Sequence, residues 1–187
     1  MKKALVREYI TSNLRIPVTI TYGKRRRLKI TLDETGKVLA YAPLSLSLRD
    51  IERFVEGNTE WIEKHRQKLS EKIPLTPIDP LEQKRKARII KARASAFLAV
   101  YDGKKPARIF VRNMTSRWGS CSSNGNISLN VYLLDVEPEL FDYVLIHELS
   151  HLYHMNHSAA FWAQVSKYCP DYKECRKKLR IYQIPKK

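Results

Sequence analysis

The sequence predicts an α+β fold, with a small β unit and a helix first and a second, helix-rich body built on short strands after it. Three observations predict this. Alternation of apolar and polar residues is concentrated before Pro43, apolar residues from Leu48 onward recur at helical spacing, and Pro74, Pro77 and Pro80 interrupt the chain between the halves. The expected organisation is a hairpin/helix subdomain over 1–70, a Pro-containing linker over 71–80 and a second domain over 81–187.

Each element has a local cause. Val18 to Tyr22 alternates β-branched and aromatic residues, Leu28 to Leu32 alternates apolar and polar ones, and Asp33-Glu-Thr-Gly36-Lys supplies turn chemistry before Val38 to Ala42 returns as a strand. Lys24-Arg-Arg-Arg27 falls in the turn between the first two strands. Ser47 is placed to cap a helix over 48–69, with Leu48, Ile51, Phe54, Val55 and Ile62 on one face and Gly57 weakening its middle. A basic helix follows over 81–101, stopped by Gly103 and Pro106. Ala107 to Val111 reads as a short strand, 113–126 as irregular, and Ile127 to Leu134 as the clearest strand. Pro138 opens a helix expected to reach about His154. Ser158 caps another through Tyr168, and Pro170 starts a last one from Asp171 to about Tyr182.

Composition narrows the function classes. Hydrophobic residues make up 43% and charged residues 29%, which excludes a mostly disordered or collagen-like chain. No apolar run is long enough to span a bilayer, and Arg7 and Glu8 break any signal-peptide core. Lys and Arg number 35 against 19 Asp and Glu, giving +16, a surplus that suits an anionic partner such as nucleotide or nucleic acid. A solvated basic face is the plainer reading. The basic runs at 24–27 and 84–93 could track phosphates, but no aromatic residues interleave them for base stacking. Three cysteines, Cys121, Cys169 and Cys175, fit no disulfide framework, so a reducing, cytoplasmic setting is expected.

The chemistry concentrates in one stretch. Four of the five histidines lie in His147-Glu-Leu-Ser-His151-Leu-Tyr-His154-Met-Asn-His157, which begins with HExxH. On a helix, residues four apart share a face, so His147 and His151 can aim at one ion. His157, beyond the expected helix end, can return a third imidazole, giving three protein ligands and an open position for water. One Zn2+ suits such nitrogen ligands best, with another divalent metal possible. Glu148 stands beside the site with the character of a general base for the metal-bound water. His154 is an alternative third ligand, and His65 reads as exposed. Cys121 fits a small buried residue better than a fourth ligand or a regulatory thiol. Arg117, Tyr132 and Tyr143 could stabilise an oxyanion, but no spacing supports any of them. Phe161 and Trp162 are placed to anchor the turn after His157. Cys169 and Cys175 have no histidine pair beside them and suggest no second zinc site.

The residues TSRWGSCSSNGNISLN at 115–130 and DYVLIHELSHLYHMNHSAAFW at 142–162, with the pattern at 24–62, resemble the YgjP-like metallopeptidase domain, a zincin-type group related to SprT-like and minigluzincin proteins. The resemblance runs from about residue 18 to 180. It implies a zincin-like core with a short mixed or antiparallel sheet packed on the HExxH helix and one strand lying across the active site. It also implies metal binding by His147, His151 and His157 and a catalytic role for Glu148. Physically, the 127–134 strand is the candidate to pair with an extended peptide, an ordinary interior strand being the alternative.

The leading functional expectation is therefore a zinc-dependent hydrolase, a metallopeptidase acting on a peptide or protein. The alternatives are a metal-dependent nucleoside triphosphate pyrophosphohydrolase, and a DNA-associated SprT-like protease or nucleic-acid-binding module.

Overall fold

The computed structural model describes residues 5–186. The chain divides into two compact units, Met1–Glu71 and Lys72–Lys187.

The first unit holds a four-stranded sheet of β1 (Leu5–Ile10), β2 (Pro17–Gly23), β3 (Lys29–Leu32) and β4 (Val38–Pro43) in the order β1-β2-β4-β3. β3 and β4 form the expected antiparallel hairpin, whereas β2 pairs with β4 in parallel. The hairpin turn is built by Asp33, whose Oδ1 accepts hydrogen bonds from the backbone N–H groups of Thr35 and Lys37 and from the Thr35 hydroxyl. Gly36 takes φ +81°, a conformation that glycine adopts without strain. One sheet face buries Val18, Ile20, Val38, Ala40 and Ala42 in a core with Ile51, Val55 and Ile62.

Two elements here differ from expectation. β1 was not foreseen. It is an edge strand with Val6 and Ile10 exposed and Arg7 and Glu8 at its middle, so the alternation that betrays a strand is missing. The helix expected over 48–69 is two helices, α1 (Leu48–Glu56) and α2 (Thr59–Ser70). Gly57 favours the break, and the Asn58 amide and Thr59 hydroxyl then donate to the Phe54 and Glu56 carbonyls at 2.7 and 2.6 Å.

The second unit opens with β5 (Ile73–Pro74), which pairs in parallel with β9 (Tyr182–Gln183) near the C-terminus. Within the stretch read as a linker, therefore, Ile73 and Pro74 are strand residues. Pro80 begins α3 (Pro80–Val100), capped by the Asp79 carboxylate on the N–H groups of Leu81 and Glu82. A three-stranded mixed sheet follows, of β6 (Arg108–Arg112), β7 (Gly119–Cys121) and β8 (Asn126–Asn130), in the order β6-β8-β7. β8 is parallel to β6 and antiparallel to β7. Then come α4 (Pro138–Ser150), α5 (Ala159–Tyr168) and α6 (Tyr172–Leu179). Its core joins Ile90 and Ala94 of α3, Ile127 and Leu129 of β8, and Leu140, Leu145 and Leu149 of α4. The expected α+β class holds, with a short mixed sheet packed on the helix that carries HExxH.

The strand expected over 127–134 ends at Asn130, and Val131–Leu134 form a 3-10 turn. Val131, Tyr132 and Leu133 are all buried, and a continuously apolar run does not separate strand from buried turn. The Asn130 side chain makes the change of direction: its Oδ1 accepts from Tyr132 N–H at 3.3 Å. β8 is also the interior strand of its sheet, whose edges are β6 and β7, the latter hidden in the stretch read as irregular. The helix expected to reach His154 closes at Ser150, where the N–H groups of Tyr153 and His154 turn back to the Ser150 carbonyl.

Candidate metal centre

α4 brings the candidate residues together. Its sequence is apolar nearly all round, so Leu140, Phe141, Val144, Leu145 and Leu149 are buried and the helix is fixed in rotation. His147 then falls in the last helical turn and His151 at the C-cap, one turn further on. The chain reverses over residues 151–158 and restarts at Ser158, whose side chain accepts from Phe161 N–H at the head of α5. That reversal returns His157 to His147, with Nε2 to Nε2 at 3.2 Å.

Ligating atoms of His147, His151 and His157 lie within 4.8 Å of one another. The fit to a zinc ion can be tested on distance. Two nitrogens at about 2.05 Å from a tetrahedral zinc stand about 3.3 Å apart, and the His147–His157 separation is 3.2 Å. Two facing imidazole nitrogens at this distance are either donor and acceptor or two lone pairs aimed at one cation. His151 is set for the second arrangement, since its Nδ1 lies 3.0 Å from the His154 carbonyl oxygen. A proton on Nδ1 donates there and leaves Nε2 bare. His147 Nδ1 is buried without a hydrogen-bond partner among the described residues. Burial, with the neighbouring His151 and His157 rings, holds His147 down to about 3, so its ring is neutral in ordinary buffers. Burial likewise lowers His151. Neutral imidazoles in this spacing suit a divalent transition metal.

Aromatic rings hold the third histidine. His157 stacks on Trp162 at 5.7 Å between centroids, and Trp162 stacks on Tyr172 of α6 at 5.1 Å. Phe161 touches all three imidazoles at 4.5–4.9 Å. Phe161 and Trp162 therefore anchor the turn, as their positions suggested. His154 lends its backbone carbonyl, and its ring lies outside the three-imidazole group.

Glu148 is 5% exposed and packs its carboxyl against Gly119 of β7. A Cβ on residue 119 would stand 2.6 Å from Glu148 Oε1 and 2.7 Å from its Cγ. No side chain fits between them. This close approach is what requires glycine at position 119. Burial pushes Glu148 up to about 8, opposed by the positive charge of Arg117. A carboxyl with that affinity can hold a proton near neutrality and release it. Cys121 lines the same cleft but is not in the metal-ligand group, and burial together with Glu148 raises its thiol. Tyr143, pushed up to about 12 by burial, meets His147 edge-on at 5.9 Å.

Asn130 is a further residue that sequence reading missed. Fully buried at the end of β8, its Nδ2 donates to the carbonyls of Met114 and Arg117, both at 2.8 Å, and its backbone N–H to Trp118 at 2.8 Å. One side chain thus fixes the turn that leads into β7. The cleft, about 480 Å³, is lined by Ser116, Arg117, β7, Met155 and the histidine–glutamate group.

The model of the YgjP-like metallopeptidase domain matches residues 26–90 and 76–182. The curated proteins hold no significant match to the chain. Among solved structures, the chain is similar to the metallopeptidase zymogen abylysin of Pyrococcus abyssi, with 29% identity over 49% of this chain and 90% of that one and a TM-score of 0.39. It is similar also to the metallopeptidase zymogen jannalysin of Methanocaldococcus jannaschii, with 22% identity over 49% of this chain and 91% of that one and a TM-score of 0.37. The family match takes in both units and the whole histidine stretch, and the chain belongs to the YgjP-like metallopeptidase domain family.

Proposed function

We propose that the chain hydrolyses peptide bonds with one zinc ion held by His147, His151 and His157 and with Glu148 as the proton carrier. The observation that carries this reading is the convergence of three imidazoles beside a buried carboxyl. Zinc, when bound, supplies Lewis-acid polarisation of a carbonyl and acidifies water.

The residues of the chain do the rest. Glu148 takes a proton from the attacking water onto its carboxylate and delivers it to the leaving amine. Gly119 holds that carboxyl within reach by leaving room for it. β7 pairs with β8 on one side only and its residues line the cleft, so an extended peptide can add as a further strand. This moves the peptide-pairing role from the 127–134 strand to its neighbour.

The test is cleavage of casein with and without chelator, by wild type and by Glu148→Gln, beside a panel of nucleoside triphosphates. Chelator-sensitive proteolysis that Glu148→Gln abolishes while keeping its metal is the expected result. Metal-dependent release of pyrophosphate without proteolysis would overturn it.

A further inference from the structure

We propose that Arg117 selects peptides carrying a carboxylate, an Asp or Glu side chain or a C-terminus, next to the bond to be cut. This rests on the peptidase reading above and names its substrate class.

Arg117 lies on the cleft wall two residues before β7 and is exposed. Its guanidinium makes no ion pair among the described residues, although eight such pairs are present there. Its backbone is not free to wander. The Met114 and Arg117 carbonyls are held at 2.8 Å by the buried Asn130 amide, and the next residue's carbonyl by Asn130 N–H. The backbone that carries the guanidinium is thus held on the cleft wall.

The other charged and titratable groups of the cleft are His147, Glu148, His151, His157 and Cys121. Glu148 is the one carboxyl among them, and it is buried against Gly119. No acidic residue of the lining forms an ion pair with Arg117, whose charge reaches the buried Glu148 only through space, and a zinc ion would add two further positive charges. A peptide lying along β7 that carries a carboxylate can therefore pair with the guanidinium. Arginine offers a forked pair of N–H donors that matches a carboxylate, and such charge-assisted pairs are among the stronger hydrogen bonds. A lysine-rich peptide would meet like charge at the same place.

The experiment uses the full-length, zinc-loaded protein and two readouts. Binding is measured with Glu148→Gln, which holds peptides without cutting them, on fluorescent peptides that differ only in Glu against Gln against Lys at each position. Cleavage sites in a proteome-derived peptide mixture are mapped by mass spectrometry with wild type. The expected binding is about tenfold tighter for a Glu peptide than for its Gln twin at one position, weakening as salt rises. Adding Arg117→Ala should remove that discrimination, and Arg117→Glu should transfer the preference to the Lys peptide. In cleavage, the Arg117→Ala loss should fall on KM for acidic peptides, with zinc content unchanged. Equal binding of the Glu and Gln peptides, or an acidic preference that survives Arg117→Ala, would overturn the proposal. Charge discrimination in binding with no peptide cleaved by wild type would support it and contradict the peptidase reading.

Discussion

Replacing Gly119 with alanine tests how the Glu148 carboxyl, the proposed proton carrier, is held. The new Cβ would lie 2.6 Å from Glu148 Oε1 and 2.9 Å from its Cδ, where ordinary contact begins at 3.4 Å. The carboxyl must retreat by about 0.8 Å or β7 must bend by as much. A displacement of about 1 Å in a catalytic group costs on the order of 100-fold in rate, equivalent to about 2.7 kcal/mol in the barrier. Overpacking should also lower folding stability by about 1–3 kcal/mol. The three atoms nearest the new Cβ all belong to Glu148, so zinc content should stay at the wild-type level. The assay is kcat/KM on a casein-derived fluorogenic peptide, with bound zinc and the melting temperature measured on the same samples. Glu148→Asp provides the control, because the shorter side chain withdraws the carboxyl from the new methyl group. Gly119→Ala added to Glu148→Asp should then cost much less than it does alone. Wild-type activity in Gly119→Ala, or the same further loss in the Glu148→Asp background, would refute the argument.

The remaining predictions concern stability. In zinc-stripped protein, Glu148 has a folded value near 8 against 4.5 unfolded, so its contribution is full below 4.5 and is lost as pH rises through 8. Glu148→Gln should therefore melt increasingly above wild type from pH 4.5 to 8, by up to about 4 kcal/mol; a difference constant with pH would contradict the burial argument. His147 runs the other way, its folded value near 3 lying below 6.5, so wild type loses stability as pH falls from 6.5 toward 3. His147→Gln should abolish that part of the acid sensitivity in a calorimetric titration. Asn130→Asp keeps the size of the side chain but removes both amide donors to Met114 and Arg117. A loss of about 2–4 kcal/mol in urea unfolding is expected, and a neutral result would mean that the turn does not depend on this amide. Lys86→Met leaves Asp135 without the ammonium that now sits 2.5 and 2.6 Å from its two oxygens. The expected cost is about 3 kcal/mol, largely recovered in Lys86→Met/Asp135→Asn.

The sequence made the candidate centre legible because its parts are close together and helical. His147, Glu148 and His151 follow from period alone, and His157 from a turn that Met155, Asn156 and the Ser158 cap announce. The supports of the centre come from far along the chain. Gly119 meets Glu148 and Asn130 meets Arg117 only after β7, β8 and α4 have packed, so nothing local marks them. Arg117 could be named as a candidate, but its selection rests on a cleft wall that no spacing reveals. The same reason explains the elements that were misread. β7 is three residues long, too short for a period, and Val131–Leu134 is apolar throughout and so carries no period at all. β1 is an edge strand whose exposed apolar and central charged residues hide its pairing. The +16 charge was legible, but beyond Arg117 it finds no assigned partner.

The central claim is that three imidazoles from one stretch of chain hold a single zinc ion. X-ray absorption at the zinc edge, with metal analysis of the purified protein, tests it most directly. The expected result is one zinc per chain with three imidazole nitrogens at about 2.0 Å, and loss of that zinc in His151→Ala and in His157→Ala but not in His154→Ala. Zinc held equally well without His157, or a first shell dominated by sulfur or carboxylate, would contradict the account.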